Sequence, residues 1–306
     1  MRIAVMGSGG LGGYFGARLQ AGGADVHFVA RGKHLQAMRS EGLAIEGPEP
    51  MHLAQVQATD DPREIGAVDL VMLCVKLWDT EAALQQIRPL MGPASCIVSF
   101  QNGVLKDRDL QAAYPASQVM GGVGYVATTI ERPGVIRQTG PMQRLVFGEF
   151  DGARSARGEA FLAACLAGGI KGEFSAEIER EIWQKYVFLV ALSGTTTTMR
   201  QTIGPIRELA QTRAFLLDVM REVVAVGRAH GVNLAPDFAE LRLKLADDVA
   251  YDMTSSMHHD LKRGNRLEVR WLSGGVVELG RAKGIATPLN RAIADILALH
   301  ANGAAQ

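Results

Sequence analysis

Residues 2–12 read Arg2-Ile3-Ala4-Val5-Met6-Gly7-Ser8-Gly9-Gly10-Leu11-Gly12, and the reading of this stretch decides the fold. The apolar run Arg2–Met6 predicts a short strand ending in glycines. Leu11, Phe15 and Leu19 then share one stripe at helical spacing, which predicts a helix over 11–20. Between them, Gly7, Gly9 and Gly12 satisfy G-x-G-x-x-G. That string is weak alone and gains meaning from following a strand and opening a helix. The first glycine permits a tight turn, the second lets backbone approach a pyrophosphate, and the third lets helix and strand pack closely. The helix start presents N–H groups and a positive dipole end to phosphates. Gly7, Ser8, Gly9, Gly10, Leu11 and Gly12 therefore form a candidate dinucleotide loop. A glycine-rich turn without a ligand is the alternative that this context disfavours.

Outward from the loop, strand and helix patterns alternate. Asp25–Ala30, Asp69–Val75 and Ser95–Phe100 read as strands, and Asp69–Val75 is apolar enough to be covered on both faces. Helical stretches near 79–88 and 105–113 fall between and after them. This alternation predicts a parallel, doubly wound α/β sheet. Val119–Thr129, Gly134–Gln138 and Arg144–Phe150 read as three further strands, joined by turns such as Arg132-Pro133-Gly134, in an antiparallel extension. After about residue 176 only helical patterns remain, over Ile178–Leu192, Glu208–His230, Asp237–Leu245 and Val269–Lys283. The expectation is an α/β domain over 1–176 and an all-α domain over 177–306, with a soft boundary near 170–180.

Composition bounds the function. A chain of 306 residues is long enough for about two domains. Its 47% hydrophobic and 21% charged residues are ordinary globular usage and exclude disorder as the main state. Lys+Arg and Asp+Glu each number 32, so the basic excess usual in nucleic-acid binders is missing, although a local patch stays open. Cys74, Cys96 and Cys165 are too few and too widely spaced for a disulfide framework or a metal site. No run approaches the ~18 apolar residues of a membrane helix. The expectation is a soluble, cytoplasmic protein with neither nucleic acid nor membrane as partner.

The second strand tells which dinucleotide to expect. An NAD site usually carries an acid at the end of that strand. Here the end reads Phe28-Val29-Ala30-Arg31-Gly32-Lys33, and Asp25 sits at the opposite end. The Arg31 guanidinium suits a phosphate, and Lys33 adds charge, so the expected cofactor is NADP (NADPH). A solvated loop charge is the plainer reading of Arg31. Lys76 and Asn102 follow strand ends, where ligands of open α/β sheets bind. A surface lysine and an Asn-Gly turn are their alternatives.

In the helical half, Lys185 shares a face with Glu181, Ile182, Leu189 and Leu192. Desolvation on an apolar stripe lowers a lysine pKa and makes it a usable proton donor. A lysine that packs its stem and reaches water is the reading that the pattern alone favours. Thr254-Ser255-Ser256-Met257 offers a helix N-cap, and Glu268 reads as a first-turn acid. His258-His259 invites a metal, but neighbours on a helix diverge, so none is expected.

Together these residues resemble the ketopantoate reductase (2-dehydropantoate 2-reductase) family, NADPH-dependent enzymes of pantothenate synthesis. The resemblance runs nearly end to end. It rests on Gly7–Gly12 with Arg31, Val75-Lys76, Gln101-Asn102-Gly103, Trp183-Gln184-Lys185, Ser255-Ser256-Met257, Asp260, Glu268 and Gly284-Ile285-Ala286-Thr287-Pro288. It implies a Rossmann-type domain with an antiparallel extension, followed by an all-α domain, with a small-molecule 2-oxo acid bound in the cleft between them. By the resemblance, Lys185 is the general acid for the ketone oxygen, and Glu268 orients substrate and Lys185 and reaches the cofactor. Ser256 binds the substrate, Asn102 lies beside substrate and nicotinamide, and Arg31 and Lys76 contact the 2′-phosphate. The family carries asparagines four and eight residues after the lysine. Here Leu189 and Ser193 stand there, so Ser193 is the shorter substrate-binding replacement and Leu189 puts the substrate's identity in question. The run Thr195–Thr198 either supplies replacement hydroxyls or ends the helix. Another 2-oxo acid, or a non-catalytic NADP sensor, are the competing functions. A homodimer would suit apolar faces of the helical half, and the sequence leaves it open.

Overall fold

The computed structural model describes residues 1–304. Residues 305 and 306, the end of the expected helical domain, lie outside the described residues. The chain divides into two compact units, one of Met1–Gln101 with Lys106–Glu181, the other of Asn102–Leu105 with the chain from Ile182 onward.

The first unit is a mixed α/β structure in this order: β1 (Arg2–Met6), α1 (Gly10–Ala21), β2 (Asp25–Val29), α2 (Gly32–Glu41), β3 (Leu43–Glu46), β4 (Met51–Leu53), β5 (Gln57–Thr59), β6 (Val68–Leu73), α3 (Thr80–Gln86), β7 (Met91–Ser99), α4 (Leu105–Ala113), β8 (Val119–Arg132), β9 (Val135–Gly148), α5 (Ala156–Ala167) and β10 (Lys171–Phe174). Ten strands form one sheet in the order β4-β3-β9-β8-β7-β6-β1-β2-β5, with β10 on β9. β1 pairs in parallel with both β2 and β6, so the chain order reverses beside β1. Open α/β sheets bind ligands at such a reversal, outside the carboxyl ends of the strands. β8 and β9 pair antiparallel, which is the extension expected from the sequence.

Two expectations change here. The segments Gly134–Gln138 and Arg144–Phe150 are not separate strands: Val135–Gln138 and Arg144–Gly148 belong to the single strand β9. Pairing jumps from Thr128–Gln138 to Val126–Gln143, so residues 139–142, including Gly140-Pro141, bulge without ending the strand. The strand expected over Asp69–Val75 ends at Leu73, which leaves Lys76 beyond it, at the start of a 3₁₀ turn over Leu77–Asp79.

The core of this unit holds Ile3, Val5, Tyr14, Phe15, Phe28, Phe147 and Phe161. A buried ion pair fastens α4 to β8: Lys106 Nζ lies 2.7 Å from Asp107 Oδ1 and donates to the Gly122 carbonyl at 3.1 Å. Burial raises the Asp107 pKa, against the attraction of Lys106.

The second unit is helical. It contains α6 (Ile178–Met199) from Ile182 on, α7 (Ile203–Glu208), α8 (Ala210–Ala229), α9 (Phe238–Asp248), α10 (Ser256–Lys262), α11 (Ser273–Lys283) and α12 (Pro288–Leu297). The expected helix over Glu208–His230 is α8, which starts at Ala210, while Glu208 is the last residue of α7. The expected helix over Val269–Lys283 begins only at Ser273, after a 3₁₀ turn over Glu268–Arg270. The threonine run does not end α6. Thr195 and Thr196 instead donate to the carbonyls of Ala191 and Leu192 within it. The Glu222 carboxylate of α8 accepts the N–H groups of Leu289 and Asn290 and so caps α12. Trp183, Tyr186, Val190, Val223, Val276 and Ile293 are among its core. No helix of the described residues is long and apolar enough to cross a membrane.

Candidate active site

In the first unit the glycine loop joins β1 to α1. Gly7 has φ of +96°, and a Cβ there would lie 2.7 Å from the Val75 nitrogen, so only glycine fits. A Cβ on Gly12 would lie 2.3 Å from the Gly7 carbonyl oxygen, and its absence lets α1 pack on the loop. Gly9 is the extended N-cap of α1, and nothing lies within 4 Å of where its Cβ would be. Gly10, Leu11 and Gly12 form the first turn, whose N–H groups have no intrahelical acceptor. Gly13 N–H is the first to close the helix, on the Gly9 carbonyl at 2.7 Å. Ser8 is buried, with its N–H and hydroxyl both on the Val29 carbonyl, at 3.0 and 3.1 Å. An open backbone face at Gly9 beside unpaired first-turn donors fits a diphosphate.

Arg31 caps α2 with its backbone, is exposed, and reaches Gln86 Oε1 at 3.5 Å. Lys76 is exposed, with Nζ 5.5 Å from the centre of the Trp78 ring. No acid ends β2, because Asp25 begins it. Two side chains that the sequence reading missed organise the surroundings. Gln101 Nε2 donates to the Val75 carbonyl at 2.9 Å and to Thr80 Oγ1 at 2.8 Å, which fixes the turn preceding Lys76. His34 lies against the glycine loop, 3.0 Å from the Ser8 carbonyl. The Gln101-Asn102 motif carried a signal for the first; nothing local marks the second.

In the second unit the structure joins two candidates that lie 83 residues apart in the chain. Lys185 Nζ donates to Asn102 Oδ1 at 3.0 Å, and Lys185 is half-buried on α6. Leu189, one turn on, is half-buried as well. Ser193, two turns on, is fully buried, and its Oγ has no hydrogen-bond partner among the described residues. Glu268 is buried at the start of its 3₁₀ turn. That turn is tied to α6 by Tyr186, whose hydroxyl contacts the carbonyls of Trp271 at 3.0 Å and Leu272 at 2.7 Å. Burial pushes the Tyr186 phenol far up, so it stays neutral. The N-cap of α10 is Ser255, which accepts the His258 N–H at 3.1 Å and meets Thr196 Oγ1 at 3.2 Å. This leaves Ser256 exposed as the first residue of the helix. His258 is buried and His259 exposed, with their rings 6.3 Å apart and nearly parallel. Among the described residues no group of three His, Cys, Asp or Glu could hold a metal ion.

Comparison with known proteins follows the same division. A family model described as "Ketopantoate reductase PanE/ApbA" matches residues 3–152, and a second, "Ketopantoate reductase PanE/ApbA C terminal", matches residues 177–301. A 2-dehydropantoate 2-reductase of Mesorhizobium japonicum is 34% identical over 311 residues, spanning 94% of each chain. An uncharacterized oxidoreductase of Bacillus subtilis, YkpB, is 31% identical over 94% of this chain and 95% of its own. A crystal structure of a PanE/ApbA family ketopantoate reductase from Ralstonia eutropha superimposes with a TM-score of 0.89, at 31% identity over 98% of both chains.

Proposed function

The chain belongs to the ketopantoate reductase family, and on that premise we propose that it reduces 2-dehydropantoate to pantoate with NADPH, as a step of pantothenate biosynthesis. It is a nicotinamide-dependent oxidoreductase acting on CH–OH groups, the class of its relatives. The single observation that carries the finer reading is the Lys185–Asn102 hydrogen bond, which holds a half-buried ammonium at a fixed place.

The nicotinamide, when bound, supplies the hydride for the carbonyl carbon. The chain's own groups do the rest. The Gly9 backbone and the first-turn N–H groups of α1 receive the diphosphate, favoured by the helix dipole. Arg31 and Lys76 receive the 2′-phosphate by charge-assisted hydrogen bonds. Lys185, held by Asn102 Oδ1, sits beside the ketone oxygen, stabilises the negative charge that develops there and transfers a proton from Nζ to it. Glu268 orients the substrate and Lys185. The exposed Ser256 hydroxyl binds the substrate carboxylate, and Ser193 Oγ is available to a substrate hydroxyl.

Leu189 favours a second reading, in which the chemistry is kept and the substrate is a bulkier, more apolar 2-oxo acid. A half-buried leucine one turn from the proton donor offers no hydrogen bond, and a substrate hydroxyl left unpaired there is penalised. The test is the loss of NADPH absorbance on adding 2-dehydropantoate, with NADH and other 2-oxo acids as parallel arms. A kcat/KM that is highest for 2-dehydropantoate and NADPH supports the first reading. Turnover only with another oxo acid moves the protein to the second.

A further inference from the structure

We propose that His34 is a positioning residue for the dinucleotide diphosphate: its ring holds the Ser8–Gly9 peptide in the orientation that turns the Gly9 N–H toward the open side of the glycine loop. The inference rests on the cofactor reading above and adds a residue from outside the glycine motif.

The two ring nitrogens have different partners. Gly134 N–H donates to Nδ1 at 3.1 Å, so Nδ1 carries no proton. The proton is therefore on Nε2, which donates to the Ser8 carbonyl at 3.0 Å. Burial also pushes the His34 pKa down, which favours this neutral ring. The Gly134 end is itself fixed. It lies in the turn between β8 and β9 with φ of +75°, and its carbonyl accepts the Ala44 N–H at 2.9 Å. The ring thus spans from an anchored turn to the glycine loop.

At the loop, the Ser8 N–H and hydroxyl are already taken by the Val29 carbonyl. His34 takes the carbonyl. All described peptide bonds are trans, so the Ser8 C=O and the Gly9 N–H point in opposite directions across one plane. Pulling the carbonyl toward His34 therefore aims the Gly9 N–H away from it. Nothing lies within 4 Å of the Cβ position of Gly9, so the loop is open at that residue. Without the ring, the Ser8–Gly9 plane loses its hold at the carbonyl and can rotate. The diphosphate then has to bear the cost of fixing it.

The experiment compares the full-length chain with His34→Phe, which keeps a ring without the hydrogen bonds, and His34→Gln, whose amide can donate to Ser8 and accept from Gly134. Calorimetry measures two ligands, 2′-phospho-ADP-ribose, which has the diphosphate, and adenosine 2′-phosphate, which lacks it. ADP-ribose and adenosine are the parallel arms for a site without 2′-phosphate preference. The expected result is about tenfold weaker binding of the diphosphate ligand to His34→Phe, the worth of one net hydrogen bond. Binding of the ligand without diphosphate stays unchanged, and His34→Gln restores the first to within about threefold of the parent. If His34→Phe does not fold, His34→Ala takes its place. Equal losses for both ligands, or no loss for the diphosphate ligand, overturn the inference. Failure of the parent chain to bind any of the four ligands overturns the cofactor reading itself, and the inference with it.

Discussion

Gly9→Ala and Gly12→Ala separate what the loop does for binding from what it does for folding. At Gly12 a methyl group would sit 2.3 Å from the Gly7 carbonyl oxygen and 2.9 Å from both Cys74 Cβ and Val5 Cγ1. None of these is the far end of a flexible side chain, so α1 must shift. Overpacking of this kind costs about 3 kcal/mol, and the helix propensity of alanine returns about 1 kcal/mol. The net loss of about 2 kcal/mol corresponds to a Tm lowered by about 4–8 °C for a domain of this size. At Gly9 the methyl meets nothing within 4 Å, and the backbone, at φ −75° and ψ −157°, suits any residue. Stability should stay within about 1 kcal/mol, as the loss of a glycine N-cap and the stiffer unfolded chain nearly cancel. The methyl does occupy the side from which a phosphate oxygen would approach. Losing one charge-assisted hydrogen bond of about 1.5–3 kcal/mol weakens NADPH binding by about tenfold to a hundredfold. Thermal melts and calorimetric Kd values on both variants decide. A Gly9→Ala chain that binds NADPH as tightly as the parent would show that the loop does not cradle the diphosphate. A Gly12→Ala chain with an unchanged Tm would refute the packing argument.

Lys185→Ala should lower kcat by about 10²–10⁴, the usual worth of a general acid, with the Kd for NADPH within about twofold of the parent; a near-parental kcat removes that role. Arg31→Ala should raise KM for NADPH by about tenfold or more and leave KM for NADH unchanged, as measured in parallel steady-state assays. Tyr186→Phe leaves the carbonyls of Trp271 and Leu272 without their hydroxyl donor and should cost about 1–3 kcal/mol, read by urea unfolding. Burial holds both His34 and His258 below the ordinary histidine value of 6.5, with Lys262 and His259 adding to the effect on His258. The unfolded chain therefore takes up these protons first. The stability they contribute is complete above pH 6.5 and is lost as the pH falls from there through their folded values. Unfolding free energies measured across that range should fall toward acid, less steeply for His34→Gln.

The elements legible in the sequence share a local cause. Ile3 to Met6, the glycines and the Leu11-Phe15-Leu19 stripe are contiguous, and each residue's environment follows from neighbours within a few positions. β3, β4, β5 and β10 went unread because three or four residues are too few to show a period. Gly134–Gln138 and Arg144–Phe150 read as two strands because residues 139–143 between them, with Gly140-Pro141, carry no strand pattern of their own. In the sheet, β8 pairs with β9 on both sides of that dipeptide and carries the strand across it. Thr254, Ser255 and Ser256 all offered a hydroxyl for the cap, and only the helix start distinguishes them.

The sequence by itself determined the alternation of β1, β2, β6 and β7 with helices, the glycine loop, the cations after β2 and β6, and the lysine on α6. These depend on residue spacing and on chemistry carried by single side chains. Tertiary structure alone decided which of these groups meet. Asn102 reaches Lys185 across 83 positions, His34 joins Ser8 and Gly134 across 26 and 100, and Gln101 clamps Val75 across 26. The physical reason is that a hydrogen bond needs atoms within about 3 Å of each other, and the chain distance between partners is set by the path of the whole sheet or helical unit. No periodicity in the sequence encodes that path.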